Sequence, residues 1–394
     1  MSRRRKSPEG PLACVIGDMD LIRPLGLAGI PCAAVARPGS PVTYSRFVHA
    51  TVAWADPWRE PEKLVENLMR FAAEQTEKPV LYYEGDWDLL LVSRFRQTLA
   101  TAFRFMIADS QLVEDLVDKG RFVELARRLN LPVPPTQHLS VPNGGTLQDL
   151  HLKFPMIVKP LTRQRATWRP IAVVGTAQEP KAIRVEDMHE WRRLWPLLAE
   201  ARVDVLVQEL VPGPENRIES WHAYADKRGD IIASFTGRKI RTLPATFGYT
   251  SALEITSNEE ITALGADLFR RIGLTGIVKF DFKRASDGRL YLLEANPRFN
   301  LWHHPGAVAG VNLPALVYHD LLGIPRPSVT KARAGVQWCR YRRDVRAART
   351  AGIPFHRWVA WSLACEAKSP SPWDDPMPVI RGVLWSRLTG RRSA

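Results

Sequence analysis

The N-terminal part of the chain alternates short apolar runs with helix-like stretches. The apolar runs LACVI (12–16) and PCAAVA (31–36) flank the helix-like segment LIRPLGLAG. A helical pattern around 61–73 and a further apolar run, PVLYY (79–83), continue the alternation. Strands that alternate with helices are typical of a parallel sheet with helices on its faces. We therefore predict a parallel α/β layer here.

A group of prolines follows a long helical stretch. EGDWDLLLVSRF (84–95) opens a helical pattern that continues to Leu129. It ends at Asn130 and a group of three prolines, Pro132, Pro134 and Pro135. Such a cluster of helix-breaking residues predicts a domain hinge.

The pattern after the hinge is mixed. From 136 to 210, strands alternate with one strong helix, VEDMHEWRRLWPLLAEA. Polar and apolar residues alternate over 218–255, as in strands, and the pattern over 258–272 predicts a helix. Two apolar strands follow at 275–283 and 289–295, on either side of the turn Ser286-Asp287-Gly288. This order predicts an antiparallel sheet with helices against one face. The predicted fold class therefore combines α/β and α+β.

Length and composition narrow the classes of protein. With 394 residues, 45% hydrophobic and 24% charged, the chain is long enough for two or three globular domains. The net charge of +14 is concentrated in MSRRRK and in 331–394, where thirteen basic residues face four acidic ones. Because the body carries almost no excess charge, a globally basic nucleic-acid binder is disfavoured.

Cysteine usage and hydropathy predict the cellular compartment of the protein. The four cysteines form no CxxC pair, which disfavours a zinc site or a disulfide framework. The sequence shows no apolar run of about 18 residues and no apolar segment after its basic N-terminus. We therefore expect a cytoplasmic protein without a membrane span or signal peptide.

Three oxygen-bearing side chains stand on the predicted hairpin over 276–300. Asp281 lies on its first strand, and Glu294 and Asn296 lie two apart on the second, hence on one face. Because the hairpin folds back at Asp287-Gly288, Asp281 should lie near Glu294. An oxygen-only cluster of this kind suits Mg²⁺.

The local sequence pattern also allows these carboxylates a purely structural role. They would then pair in an ion network with Lys279, Lys283 or Arg298. Upstream lysines favour the metal, because Lys159 ends the run FPMIVKP and Lys119 stands in VDKGRF, and lysines suit phosphate oxygens.

Four segments in this order resemble the ATP-grasp superfamily of ATP-dependent ligases. They are Asp118-Lys119, PMIVKP, VLVQELVPGPE (205–215) and FDF...LLEANPR, and the resemblance covers roughly residues 12–325. GDMDLIRPLGLAGIP, EGDWDLLLVSRF and NLWHHPGAVAGVNLPALVYHDLLG are similar to the carboligase branch, which includes carboxylate-amine and D-aspartate ligases. The resemblance implies an ATP-grasp fold preceded by a Rossmann-like parallel sheet domain and followed by a helical C-terminal extension.

The resemblance also implies domain boundaries. Residues 1–110 would form the Rossmann-like domain, and 111–330 the ATP-grasp domain. The latter would contain an ATP lobe over about 131–210 and a metal-hairpin lobe over about 211–330. Residues 331–394 would form a basic, tryptophan-rich helical extension.

Cofactor-binding roles follow from the resemblance residue by residue. Lys119 and Lys159 would bind the phosphates of ATP, and Glu215 would reach the ribose hydroxyls. The adenine edge would be held by Glu209, Leu210 and Val211.

Metal-binding and catalytic roles follow in the same way. Asp281, Glu294 and Asn296 would hold one or two Mg²⁺ ions, and Arg298 would steady the transferred phosphoryl group. Separately from the resemblance, Arg238, which follows the strand IIASFTG, would meet the anionic substrate if that strand lines the cleft; a solvated basic face is the alternative.

The resemblance implies an ATP- and Mg²⁺-dependent ligase that activates a carboxylate as an acyl phosphate and joins it to an amine. Its partners would be these two small molecules, without nucleic acid, and a homodimer is the default oligomeric state. The alternative is a non-catalytic ATP-binding protein tethered to a membrane or complex by its basic tail. This alternative draws on the loop 160–181, where a glycine-rich lid is expected but a single glycine stands among Arg163, Arg165 and Arg169.

The tail from 331 onward has two interpretations of its own. It holds five tryptophans and two predicted helices, 354–367 and 377–389. Basic, tryptophan-bearing helices bind anionic membrane surfaces, which predicts peripheral contact at the inner membrane face. The alternative is that these helices pack onto the ligase body. His303 and His304 follow the hairpin closely enough to border the acceptor pocket, but adjacent histidines on a loop are more typical of surface residues, and we expect them at the surface.

Overall fold

The apolar runs at the N-terminus form a four-stranded parallel sheet. The computed structural model describes residues 10–140, 150–161, 168, 171, 182–369 and 373–385. The strands are β1 (Ala13–Ile16), β2 (Cys32–Ala36), β3 (Val48–Ala53) and β4 (Val80–Tyr83). They lie in the order β3-β2-β1-β4, all parallel. Every residue of β1 and β4 is buried, as in strands covered on both faces.

Helices surround this sheet and continue past it. They are α1 (Met19–Leu27), α2 (Pro61–Ala73), α3 (Asp86–Arg94), α4 (Arg96–Ala102), α5 (Ser110–Val117) and α6 (Lys119–Arg128). The stretch predicted as one long helix is thus divided into four. Asp18 caps α1 by accepting from the Met19 N–H, and Asp118 caps α6 by accepting from the Arg121 N–H.

A second, antiparallel sheet follows the proline hinge. Its strands are β5 (Thr136–Leu139), β6 (Met156–Pro160), β7 (Ile183–Val185) and β8 (Val205–Glu209), in the order β5-β8-β6-β7. Helix α7 (Met188–Glu200) belongs to the same hydrophobic cluster, which is separate from the main core and includes the fully buried Trp191. The arginines of the predicted lid, Arg163, Arg165 and Arg169, lie outside the described residues.

The third sheet has seven strands within the described residues. They are β9 (Ile218–Ala225), β10 (Ile231–Leu243), β11 (Tyr249–Thr256), β12 (Gly276–Arg284), β13 (Leu290–Asn296), β14 (Gln337–Arg340) and β15 (Ala367–Ser369). Their order is β13-β12-β9-β10-β11-β14-β15, antiparallel except for the last pair.

Three helices accompany this third sheet. They are α8 (Glu259–Ile272), α9 (His303–Val308) and α10 (Leu313–Leu322). Asn258 caps α8, and Gly273 ends it in the left-handed conformation with φ of 75°. The main hydrophobic core joins this sheet to the N-terminal sheet, and the ring of Phe299 lies 4.9 Å from that of Tyr82. The end of the β13 hairpin is thereby placed against the carboxyl end of β4.

The C-terminal extension is not purely helical, which corrects the prediction. It adds β14 and β15 to the third sheet and contains α11 (Tyr341–Thr350), α12 (Phe355–Ala364) and α13 (Met377–Val379), with a π-helical turn over Ile380–Trp385. Residues 386–389 of the predicted last helix lie outside the described residues. Strand pairing makes this segment part of the body, in agreement with the packing alternative. None of the described helices has the length and apolarity needed to cross a bilayer.

Candidate active site

A cavity of about 500 Å³ is lined by residues of both the second and the third sheet. It collects most of the residues singled out from the sequence: Lys119, Lys159, Leu210, Val211, Glu215, Asp281, Glu294, Asn296 and Arg298. Glu209 and Arg238 are absent from the described lining residues. Two ammonium groups and the acidic hairpin therefore converge on one space.

The acidic hairpin has the expected register. Asp281 on β12 is directly opposite Glu294 on β13, and Lys279 is opposite Asn296, with a bulge after Asp281. The Asn296 amide donates to Glu294 Oε2 at 3.3 Å. Asp281 Oδ2 accepts from Lys279 Nζ at 2.6 Å, whereas its buried Oδ1 has no hydrogen-bond partner within the described part of the chain. A buried acceptor without a partner is unusual and marks a position for a ligand.

The alternative of a structural ion network is present only in part. Lys279 pairs with Asp281, and burial lowers the pKa of this lysine although the aspartate opposes the shift. Lys283 instead donates to the Gly213 and Pro214 carbonyls at 2.7 and 2.9 Å. Of the lysines in the predicted network, Lys279 therefore pairs with a hairpin carboxylate, whereas Lys283 donates to carbonyl groups of the neighbouring loop.

Arg298 is held between the hairpin and the N-terminal layer. Its Nε donates to Asp86 at the start of α3, its Nη1 to the Glu84 carbonyl at 2.8 Å, and its Nη2 to Asn296 Oδ1 at 3.4 Å. Burial alone would lower the pKa of Arg298, but the neighbouring Asp86 carboxylate raises it overall. Arg298 is thus a fixed positive charge at the cavity wall.

The hairpin donors match one kind of metal ion. No group of three His, Cys, Asp or Glu side chains in the described ranges is arranged to hold a metal by itself. Asp281, Glu294 and Asn296 offer two carboxylates and one amide oxygen. Mg²⁺ binds through one or two carboxylates together with substrate phosphates, so this donor set fits Mg²⁺ when a nucleotide completes it.

The two predicted phosphate-binding lysines line the cavity from different secondary-structure elements. Lys159 stands on β6 and donates to Gln208 Oε1 of β8 at 3.0 Å. Lys119 begins α6, and its Nζ donates to the Pro160 carbonyl at 2.6 Å. Each ammonium group lines the cavity, where it can donate to a phosphate oxygen.

The predicted adenine segment is corrected at Glu209. The carboxylate of Glu209 accepts from the Lys153 N–H at 3.0 Å and does not line the cavity. The backbone N–H groups of Glu209 and Leu210 already donate to Pro135 and Pro155 carbonyls, at 2.9 Å each. Leu210 and Val211 remain in the cavity lining, so the predicted adenine contact rests on these two residues.

Arg238 is the second correction. It points away from the cavity and pairs with Glu254 at 3.0 Å, with about half of its side chain exposed. Its neighbour Lys239 lines the cavity instead. Successive side chains of a strand face opposite sides, so only one of the two can meet the ligand.

Residues 201–342 match the family described as ATP-grasp in the biosynthetic pathway with Ter operon. The chain is 26% identical to D-aspartate ligase of Enterococcus faecium (strain Aus0004) over 293 residues, which cover 71% of this chain and 68% of that protein. Its structure resembles the ADP complex of N5-carboxyaminoimidazole ribonucleotide synthetase, with a TM-score of 0.61 and 16% identity over 84% of this chain and 82% of that one. The L-amino acid ligase from Bacillus licheniformis gives a TM-score of 0.60 and 14% identity over 82% and 76% of the two chains.

The chain has an ATP-grasp fold.

These matches confirm the predicted fold and the predicted resemblance to the ATP-grasp superfamily. Two of these proteins are named as ligases and one was crystallised with ADP, in agreement with the predicted class. The roles of individual residues in this chain stay predictions that rest on the geometry above.

The sequence analysis did not identify several residues that line the cavity. Lys279 and Lys283 had appeared only as ion-pair partners, although charges inside apolar strands could have marked them as lining residues. Tyr249, Trp302 and Arg343 gave no local signal, because their positions depend on how distant segments pack.

The two adjacent histidines are buried, which corrects their expected surface position. His303 and His304 begin α9 and are fully or almost fully buried. Burial lowers the pKa of His303 to about 3, so its imidazole is neutral near pH 7. His304 Nδ1 lies 3.1 Å from Asp20 Oδ1 and its Nε2 accepts from Arg23 at 3.1 Å. Neither ring lines the described cavity, so both are structural.

Proposed function

We propose that the protein is an ATP- and Mg²⁺-dependent ligase that activates a carboxylate as an acyl phosphate and joins it to an amine. One observation carries this: the described cavity lining contains seven cationic side chains and only three carboxylates. The cations are Lys119, Lys159, Lys239, Lys279, Lys283, Arg298 and Arg343. Such an excess of positive charge in one cavity suits a triphosphate together with an anionic substrate.

The proposed roles divide along the cavity. Lys119 and Lys159 bind nucleotide phosphates, and Asp281, Glu294 and Asn296 hold Mg²⁺. When bound, Mg²⁺ supplies charge neutralisation for the phosphate oxygens. The orphaned Oδ1 of Asp281 supports this assignment, because a cation would give it the partner it lacks.

Arg298 has the fixed position that phosphoryl transfer requires. A substrate carboxylate oxygen attacks the γ-phosphorus while the bond from that phosphorus to the bridging oxygen of ADP breaks. The acyl phosphate then reacts at its carbonyl carbon with an amine, which expels phosphate and gives up one proton as the C–N bond forms. Cations that face the phosphoryl oxygens stabilise the first step, and Arg298 and Lys279 are suitably placed on the cavity wall.

The relatives guide the choice of substrate class. One relative is named a D-aspartate ligase and another an L-amino acid ligase. We propose that the carboxylate substrate is an amino acid. The domain boundaries predicted from the sequence belong to the same proposal.

Calorimetric titration with Mg²⁺ and ATP tests the nucleotide site. The variant Lys159→Ala should weaken binding about tenfold or more, because a charge-assisted contact to phosphate is lost. Lys153→Ala, an exposed lysine near the same sheet, is the matched control and should bind as the wild type does. Failure of the wild type to bind Mg²⁺ and ATP would contradict the proposal.

A phosphate-release screen over pairs of amino acids and amines tests catalysis. Release that requires both members of a pair is the expected result. Tight nucleotide binding without release for any pair would favour the non-catalytic alternative.

A further inference from the structure

Arg343 lines the cavity from the C-terminal extension. It stands near the start of α11, one residue past the segment 201–342 that matches the family, and beyond the region that resembles ATP-grasp proteins in sequence. The extension is therefore a wall of the active-site cavity as well as an edge of the third sheet.

The neighbour of Arg343 anchors it. Asp344 is fully buried and accepts four hydrogen bonds: from Arg241 Nε at 2.9 Å, from Arg241 Nη2 at 2.7 Å, from Ser251 Oγ at 2.8 Å and from Trp358 Nε1 at 2.9 Å. Both carboxylate oxygens are thereby saturated by donors from β10, β11 and α12. This network fixes the start of α11, and with it the backbone of Arg343.

The turn that faces Arg343 is equally constrained. Phe247 has φ of 55°, a conformation that is costly for a bulky residue. Gly248 approaches the backbone so closely that a Cβ would lie 1.9 Å from the Pro244 carbonyl oxygen. The guanidinium of Arg343 lies 5.1 Å from the ring centre of Tyr249, the next residue. The arginine thus packs over the ring of the residue that follows this constrained turn.

Arg343 and Lys239 have different charged neighbours in the cavity wall. Lys239 is close enough to Lys279 and Lys283 to lower their pKa values, which places it beside the acidic hairpin. Arg343 is instead influenced by Arg340, and no carboxylate of the described residues forms an ion pair with it. A half-buried guanidinium that lacks a carboxylate suits a carboxylate ligand, which it can bind with two parallel N–H bonds.

We propose that Arg343 binds a second carboxylate of the amino-acid substrate, and that the extension thereby selects dicarboxylic over monocarboxylic amino acids. This rests on the proposed function, because it assumes that the first carboxylate is activated at the hairpin. The side chain acts in specificity, since it lines the cavity from the C-terminal extension and not from the elements that carry the phosphate-binding lysines.

The test is calorimetric binding of amino acids to the full chain in the presence of Mg²⁺ and a non-hydrolysable ATP analogue. The probes are both enantiomers of aspartate and glutamate, with both enantiomers of alanine as monocarboxylic references. For the wild type we expect at least one dicarboxylate to bind about tenfold more tightly than alanine or better.

Three variants sharpen the result. Arg343→Met should reduce this preference to about twofold or less while alanine binding is unchanged, and Arg343→Lys should restore it in part. Arg346→Met is the matched control, because Arg346 is exposed on the same helix, and it should keep the preference. A preference that survives in Arg343→Met, or that is lacking in the wild type, overturns the inference.

The same titrations separate this inference from the proposed function. If the wild type does not bind Mg²⁺ and the nucleotide analogue, the proposed function fails. If it binds the analogue but Arg343→Met behaves as the wild type does, only the role of Arg343 fails.

Discussion

Asp281 and Asp344 are two buried carboxylates at the same sheet, and they differ in how fully they are bonded. Each pairs with one cation, Lys279 at 2.6 Å and Arg241 at 2.7 Å respectively. Asp344 has two donors on each oxygen, whereas Asp281 Oδ1 has none within the described residues. A saturated carboxylate has no capacity left for a ligand, and an unsaturated one does. The difference separates a structural anchor from a candidate metal ligand.

Removal of the saturated carboxylate should have the largest effect on stability. Asp344→Ala leaves Arg241 without its partner, and we expect the free energy of unfolding to fall by about 3 to 5 kcal/mol. Chemical denaturation followed by circular dichroism measures this. Asp287→Ala, at the exposed hairpin turn, is the control and should leave the free energy of unfolding nearly unchanged. Equal losses in the two variants would remove the distinction.

Changes at the unsaturated site should affect turnover instead. Glu294→Gln keeps the shape of a side chain that is exposed to the cavity, so stability should change by about 1 kcal/mol or less. Turnover should fall about 100-fold, or about 2.7 kcal/mol in the barrier, because a charge that holds Mg²⁺ is lost. Steady-state release of phosphate measures it, with Asp287→Asn as a control in the same hairpin. Wild-type turnover in Glu294→Gln would refute the metal assignment.

We expect the buried side chain of His303 to make the folded state less stable at acidic pH. Burial depresses the folded-state pKa of His303 to about 3, while an unfolded histidine titrates near 6.5. The unfolded chain therefore binds the proton more readily as pH falls below 6.5, and the folded state loses about 2 kcal/mol through this group between pH 7 and pH 5. His303→Leu should remove that part of the acid sensitivity.

Unfolding curves at pH 7 and pH 5 provide the measurement for His303. His189→Leu, at an exposed helix position, is the matched control and should retain the sensitivity of the wild type. An identical pH dependence in both variants would exclude His303 as a source.

The smallest expected effect is at Arg238. Its ion pair with Glu254 is exposed, so Arg238→Ala should change stability by about 0.5 kcal/mol and turnover by about twofold or less. Lys239→Ala, one position on, should reduce turnover more because its ammonium group lines the cavity. If Arg238→Ala had the larger effect on turnover, the assignment of strand faces would be wrong.

Sequence reasoning found what local periodicity determines. The alternation of side chains along a hairpin brings Asp281 opposite Glu294, and the apolar runs of β1 and β4 match buried parallel strands. It could not decide between Arg238 and Lys239, because β10 also contains register shifts near these residues. Strand alternation predicts that neighbours face opposite sides but not which one faces the ligand.

The pairing of strands that are distant in the chain could not be predicted from the sequence. Nothing in residues 337–340 alone predicts that they pair with β11, so the placement of Arg343 could not follow. The burial of His303 and His304 likewise depends on the N-terminal layer that covers α9, where Arg23 donates to the His304 ring.

The pairing of β14 with β11 has a practical consequence for anyone who shortens the chain. A version cut near residue 325, where the resemblance identified from the sequence motifs stops, would leave the backbone N–H and C=O groups of Ala252–Glu254 without the partners that residues 337–339 now supply. An uncovered strand of this kind is a template for intermolecular pairing. Such a shortened protein would tend to aggregate, and its insolubility would say nothing about catalysis.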